Sequence, residues 1–398
     1  MNVLFVLPTG INIKKHSISA DIMHEFRAAG HEVYAACALD KKRDTYLQEE
    51  DGYHILHVTT GNNKKANIIE KGITTITMPR AYIKAIKKYF SDVTFDMILY
   101  PTPPVTHVKT VEYIKKRDGA TSYLMLKDIF PQNAVDIGMM SKSGVKGILY
   151  KKFRRDEKKL YAVSDRIGCM SQANIDYVLA HNPEVDPAKL ELCPNSIELI
   201  DMRISDADKK AIREKYELPL DKKIFVYGGN LGKPQGIPFL IKCLKGQKDN
   251  AGAYFLIVGD GTEYGKLERF ITEEQPANVR LMKRIPKEDY DKLVAGCDVG
   301  MIFLDHRFTI PNFPSRLLGY LQAGLPVLAA TDPNTDIGKV ITEGGFGWWC
   351  ESNSTLDFGK TIEAAISSDL VQLGEAGYTY LADNYQAKDT YKKIIRRN

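Results

Sequence analysis

The chain has 398 residues, of which 44% are hydrophobic, 26% charged and 10% aromatic. That is enough apolar material for two or three globular domains, and it excludes wholesale disorder. Residues 1–200 hold 28 Lys and Arg against 23 Asp and Glu, and the remainder holds 27 against 27, so the net charge of +5 sits in the first half. The excess suits an anionic partner on that side, a phosphorylated substrate or a membrane surface, or plain solvated lysines. No nucleic-acid motif accompanies it. No stretch reaches the ~20 apolar residues that cross a bilayer. The start, MNVLFVLPTG, lacks the cationic region of a signal peptide. Six scattered cysteines, without CxxC or Cys/His spacing, read as reduced buried thiols of a cytoplasmic protein. No His/Glu cluster suggests a metal.

In chain order, Val3–Leu7 reads as a buried strand that ends in a Pro8-Thr9-Gly10 turn. A helix over 17–29 follows, closed by Gly30, and residues 31–36 form the next strand. Strand, helix, strand is a βαβ unit of a parallel sheet. Further short apolar runs end at turn or polar residues: Met97–Tyr100, Ser122–Leu126 and Arg166–Met170. A second series comprises Lys223–Tyr227, Tyr254–Val258, Val279–Met282, Val299–Leu304 and Pro326–Ala330. Ser205–Tyr216 reads as a polar linker helix and Tyr385–Asn398 as a basic amphipathic helix. The fold class is therefore α/β, with two doubly wound Rossmann-like domains facing each other. The expected boundaries are 1–198, 199–378 and a closing helical segment, 379–398.

Ligands of open α/β sheets bind beyond the carboxyl ends of the strands. Five motifs are candidates. In YGGNLGKPQG, Gly228, Gly229, Asn230 and Gly232 allow close backbone approach to an anion, and Lys233 adds charge. A tight strand-to-helix turn would look the same. In IPNFPSRLLGYLQAGLPVLA, Ser315 reads as the N-cap of a helix over 316–323. The free N–H groups of Arg316, Leu317 and Leu318, with the Arg316 side chain, would then hold a diphosphate. In LKDIFP, Asp128 can act as base or orient a hydroxyl, and Lys127 can hold an anion or lower the carboxyl pKa. VGDGTE, at 258–263, reads as a structural turn, and CPNSIE as the exit from the first domain. Of the histidines, His16 is the one placed to serve a site; His31 and His57 read as structural. Two basic stretches, 82–90 and 145–160, have the pattern of surface helices or of helices that meet an anionic membrane.

These residues together resemble glycosyltransferase family 4, with the GT-B fold. YGGNLGKPQG, VGDGTE, VGMIFL and FPSRLLGYLQAGLPVLA carry the resemblance in the second half. HEVYAA, LKDIFPQNAVDIG and CPNSIE are similar to the bacterial fucosamine-transferase subgroup. The resemblance implies retaining, metal-independent transfer from a nucleoside-diphosphate sugar, with UDP as the leading donor. It implies a hexosyl or N-acetylhexosaminyl enzyme of lipopolysaccharide, capsule or exopolysaccharide synthesis. The acceptor would be a glycan or a polyprenyl-diphosphate-linked sugar, at the inner face of the membrane. Arg284 and Ile285 would lie at the base, Gly228–Gly232 and Ser315–Leu318 at the diphosphate, and Asp128 near the reacting carbon. The last helix would cross back onto the first domain. The family's Arg and Lys, five apart, read Asn230 and Gln235 here, and its paired Glu read Pro311 and Gly319. A nucleotide-sugar epimerase of the same fold and a non-catalytic partner of another transferase are the alternative readings.

Overall fold

The computed structural model describes residues 1–39, 43–61 and 68–396, and the side chains of 68–73, 145 and 146 lie outside the description. The chain divides into two compact units, Met1–Glu198 with Ala387–Asn398, and Leu199–Gln386.

The first unit holds β1 (Asn2–Leu7), β2 (Glu32–Leu39), β3 (Tyr46–Glu50), β4 (Tyr53–Thr59), β5 (Met97–Thr102), β6 (Thr121–Leu126), β7 (Arg166–Cys169) and β8 (Leu190–Leu192). They form one sheet in the order β3-β4-β2-β1-β5-β6-β7-β8. Every pairing is parallel except β3 with β4. The central strands are covered on both faces, so they read as unbroken apolar runs. On β1, Leu4 and Val6 face one buried cluster, and Val3, Phe5 and Leu7 face the other. The β3–β4 hairpin is not visible as such a run, because it lies at the edge and β3 is YLQEE. Its signal is the turn: Asp51 and Gly52 both have positive φ (50° and 80°), the two-residue hairpin form.

The first helix, Ile18–Ala28, starts where expected: the Ser17 hydroxyl accepts from Ala20 N–H at 3.2 Å. Gly30, at φ 81°, follows its end. The last helix, Ala387–Ile395, packs on that first helix, with Tyr391 edge-on to Phe26 at 4.9 Å. Arg166 donates to the carbonyls of Lys393 and Ile394 (2.9 and 2.8 Å), which satisfies the helix's last carbonyls. CPNSIE is part of the same anchorage: Ser196 bonds Thr390 at 2.8 Å, and Ala387 N–H bonds the Ile197 carbonyl at 2.9 Å.

Of the two readings of the stretch 82–90, the structure supports the packing helix. In Ile68–Tyr89 and just beyond, Tyr82, Ile86 and Phe90 are 0–2% exposed, within the core of the first unit. The apolar side of the 82–90 stretch is its packing face and is not available to a membrane.

The second unit holds β9 (Lys223–Asn230), β10 (Ala253–Asp260), β11 (Val279–Met282), β12 (Val299–Phe303), β13 (Val327–Thr331) and β14 (Gly347–Glu351). All pairings are parallel, in the order β11-β10-β9-β12-β13-β14. This is the 3-2-1-4-5-6 order of a dinucleotide-type sheet, with its switch point between β9 and β12. Asp206–Lys215, expected as a linker, is fastened to this sheet instead. Buried Asp298, before β12, accepts from Arg213 Nη2 (2.6 Å), Lys209 Nζ (2.7 Å) and the β9 N–H of Ile224 (2.6 Å). Removing one partner leaves a buried charge uncompensated, at about 3–5 kcal/mol. Arg213→Ala is therefore expected to lower unfolding free energy by about that amount in urea titration, and Lys209→Ala by clearly less, because Lys209 is nearer solvent.

Candidate functional site

One tyrosine ties the two strands at the switch point of the second sheet. Tyr320, from the helix Arg316–Gln322, is 2% exposed, and its ring occupies the space beside Gly300 of β12, where a Cβ would lie 2.3 Å from it. Its hydroxyl accepts from Gly228 N–H (3.3 Å) and donates to the Met301 carbonyl (3.1 Å), so it bridges β9 and β12. Tyr290 lies over Gly228, where a Cβ would be 1.7 Å from its hydroxyl. The two glycines are thus required by two tyrosines.

Arg316 sits among these rings. Its guanidinium carbon lies 4.3 Å from the Tyr227 ring centroid, and Nη2 is 3.4 Å from where a Cβ on Gly229 would be. Gly229 has φ 123°, a conformation that favours glycine. Burial works against the guanidinium charge, but its contacts with Tyr227 and Tyr320 outweigh it and hold its pKa above the ordinary arginine value. Nη1 is sealed from solvent and has no hydrogen-bond partner among the described residues. An unmet buried donor costs about 1–3 kcal/mol, and more when charged.

The backbone beside Arg316 differs from the expectation. The helix spans only Arg316–Gln322, and Ser315 is itself helical (φ −66°, ψ −13°) with no side-chain cap bond. Leu317 and Leu318 direct their N–H groups to the carbonyls of Pro314 (3.3 Å) and Ser315 (3.2 Å). A tightened first turn has used two of the three donors expected for a diphosphate, and both leucine side chains are buried. The C-terminus follows the sequence: Gly324 (φ 68°) and Leu325 N–H return to the carbonyls of Leu321 and Tyr320.

In the β9 loop, Asn230 and Gln235 serve each other. Asn230 Nδ2 donates to Gln235 Oε1 at 3.0 Å, and Gly232 N–H donates to the same oxygen at 3.2 Å. A neutral amide clasp stands where the resembled family has two cations. Lys233 is exposed at the tip and forms no ion pair among the described residues. Gly236, at φ 57°, lies against the backbone of Asp305, whose N–H bonds the Pro234 carbonyl at 2.9 Å. Arg284 is exposed and Ile285 half-buried, in the irregular segment after β11. VGDGTE is structural, as expected: a Cβ on Gly259 would lie 2.0 Å from the Gly229 carbonyl oxygen, and one on Gly261 2.4 Å from that of Leu231.

In the first unit, Lys127 and Asp128 follow β6, both half-buried. Burial lowers the Lys127 pKa to about 8 and raises that of Asp128 to about 6, while their mutual attraction opposes both shifts. Near neutrality the pair is mostly charged. After β1, His16 Nδ1 lies 3.3 Å from Asp21 and 3.4 Å from Glu198. The three are the one group among the described residues whose atoms could share a metal ion. Asp21 is buried, and its oxygens also accept from the backbone N–H groups of Ser17 (3.2 Å) and Glu198 (3.0 Å). The cluster has no local sequence signal, because its members lie up to 182 positions apart. His31 and His57 are structural: the first bonds Tyr391 (2.9 Å), the second Gln48 (2.9 Å).

Residues 208–380 match the family Glycosyl transferases group 1. The fold is GT-B. Sucrose-phosphate synthase of Thermosynechococcus elongatus superposes with a TM-score of 0.77 at 14% identity, over 99% of this chain and 97% of that one. HepE of Anabaena, solved with UDP and glucose, gives 0.69 at 13% identity over 99% and 98%. In sequence, the chain is 26% identical over 335 residues to a probable glycosyltransferase, WbjE of Pseudomonas aeruginosa, covering 83% of this chain and 81% of that one.

Within the group 1 domain, VGMIFL leads to a strand end that also carries His306 and Arg307. Asp305 is buried and clamps Arg307 through Nε and Nη2, both at 2.8 Å, and His306 is exposed beside them. The glycines of the domain differ sharply in what they tolerate. Gly319 lies inside a helix with nothing within 4 Å of a Cβ, so Gly319→Ala is expected to stabilise by ~0.5–1 kcal/mol. Gly259→Ala forces the β9 loop to move, and is expected to lower the melting temperature. Differential scanning calorimetry of the two variants checks both.

Proposed function

We propose that the protein is a retaining, metal-independent glycosyltransferase of bacterial surface-polysaccharide synthesis. It transfers a hexosyl or N-acetylhexosaminyl group from a UDP-sugar to a glycan or polyprenyl-diphosphate-linked acceptor, in the cytoplasm at the inner face of the membrane. The observation that carries the reading is Arg316. A guanidinium is held at the carboxyl end of β9, one of the two strands at the switch point of the sheet, with Nη1 lacking an acceptor among the described residues. A diphosphate supplies that acceptor. The UDP bound in HepE and the polysaccharide assignment of a second relative, the putative colanic acid glycosyl transferase WcaI of Escherichia coli, support the donor and the setting.

In the reaction, the bond from the anomeric carbon to the diphosphate oxygen breaks, and its electron pair leaves with the nucleoside diphosphate. Arg316, with Lys233 at the loop tip, offsets that developing charge. The acceptor oxygen bonds to the same face of the carbon, and its proton passes to Asp128. Lys127 holds the acceptor's anionic group and keeps Asp128 ionised. Gly228, Gly229, Asn230 and Gly232 line the approach to the diphosphate. Ser315, Leu317 and Leu318 shape the turn that presents Arg316, and Arg284 and Ile285 border the base.

Thermal stabilisation by nucleotide sugars tests the donor class directly, since a ligand at 100 times its Kd adds about 2.7 kcal/mol. A UDP-sugar is expected to stabilise the protein; no response to any uridine or guanosine nucleotide sugar would count against the reading. Arg316→Ala is expected to slow transfer by about 10²–10³-fold while the fold persists, and a loss of under about threefold would remove its role. Asp128 as base and Lys127 as cation require kcat/KM to fall as pH drops through about 6 and as it rises through about 8. Lys127→Met is expected to abolish the alkaline limb and keep the acid one.

A further inference from the structure

The helix Gly144–Val163 has two unlike sides. Phe153, Leu160 and Tyr161 are 0–3% exposed and anchor it to the first unit. Ile148, Lys152, Arg155 and Lys159 follow at spacings of four, three and four, which places them on one stripe. Ile148 is 70% exposed. Leu149 beside it and Met139 in the preceding segment are exposed too. The helix's acids are inward and engaged: Asp156 pairs with Lys152 (2.5 Å) and Glu157 with Arg154 (2.6 Å), both acids being buried. Lys158 pairs with Glu184 at 2.8 Å. Lys151, Arg155 and Lys159 are exposed and form no ion pair among the described residues.

We propose that this face, with Ile148 at its N-terminal end, docks the protein on an anionic lipid bilayer. The partner must meet two demands at once, negative charge for three unpaired cations and an apolar place for Ile148 and Leu149. An anionic bilayer offers phosphates at the headgroup level and hydrocarbon just beneath. A purely acidic partner leaves the isoleucine in water. No helix among the described residues is long and apolar enough to cross the bilayer, so the contact is peripheral. The inference deepens the reading above and rests on it only for the acceptor: a polyprenyl-linked sugar lies in that same surface.

Co-sedimentation of the full chain with phosphatidylglycerol-rich vesicles, against phosphatidylcholine vesicles, tests the docking without donor or acceptor. Each cation near such a surface strengthens binding about fivefold. The triple variant Lys151→Glu, Arg155→Glu, Lys159→Glu is expected to lose at least about a hundredfold. The same reversal of exposed Lys84, Lys87 and Lys88 is expected to lose much less. All six native cysteines are buried, so Ile148→Cys can be labelled selectively with an environment-sensitive fluorophore, and its emission is expected to shift blue on the anionic vesicles. Absence of vesicle binding, or equal losses from the two triple variants, would overturn the proposal. Polyglutamate that competes fully, with no blue shift, would assign the face to an acidic protein and overturn the lipid. Because UDP-sugar stabilisation is read separately, failure here and failure of the transferase reading remain distinguishable.

Discussion

A buried phenol hydroxyl must find partners, and in the second unit that requirement shapes the switch point. Tyr320 reaches them only by lying across Gly300 and bonding backbone groups of both β9 and β12. It is rooted in the same short helix as Arg316, four residues away, so the staple that joins the strands also sets where the arginine emerges. Tyr227 and Tyr290 complete the surroundings. The glycines follow from this packing and from the backbone: side chains at 228 or 300 would occupy space the rings fill, and Gly229 has a positive φ of 123°.

The two units place charge differently. In the group 1 domain the Arg316 guanidinium is packed among aromatic rings, and the flanking loop is closed by a neutral amide clasp. In the first unit, an opposed pair follows β6, and burial pulls the pKa of each member toward neutrality. The former suits a constant charge, the latter one that changes within the physiological range. The short helix beside Arg316 contributes less than its sequence promised. Its first turn tightened, and two of its N–H groups turned inward.

The basic excess of the first half also separates into parts once side chains are placed. The stretch 82–90 and the helix Gly144–Val163 look alike as patterns of apolar residues among lysines. Burial distinguishes them: one puts its apolar residues into the core, while the other leaves Ile148 in solvent and its acids inside. Amphipathicity states that a helix has two sides and does not state which of them the sheet will cover.

Much of this protein is legible in its residues. Buried parallel strands such as β1 and β9 announce themselves as unbroken apolar runs ended by glycine or polar turns, because both of their faces are covered. Those runs, and the glycine and arginine at their ends, were enough for two Rossmann-like domains and for the loops that could meet a phosphate. Edge strands β3, β8 and β14 are not legible in this way, since a half-solvated strand needs no such run, and in β4 two histidines interrupt it. The cap at Ser315, the amide clasp, the tyrosines around Arg316 and the His16–Asp21–Glu198 group were decided only in three dimensions. Each depends on which atoms distant segments bring within about 3 Å, where hydrogen bonds and desolvation act. Local sequence sets the period and ends of an element; the partners of its polar groups are chosen by packing.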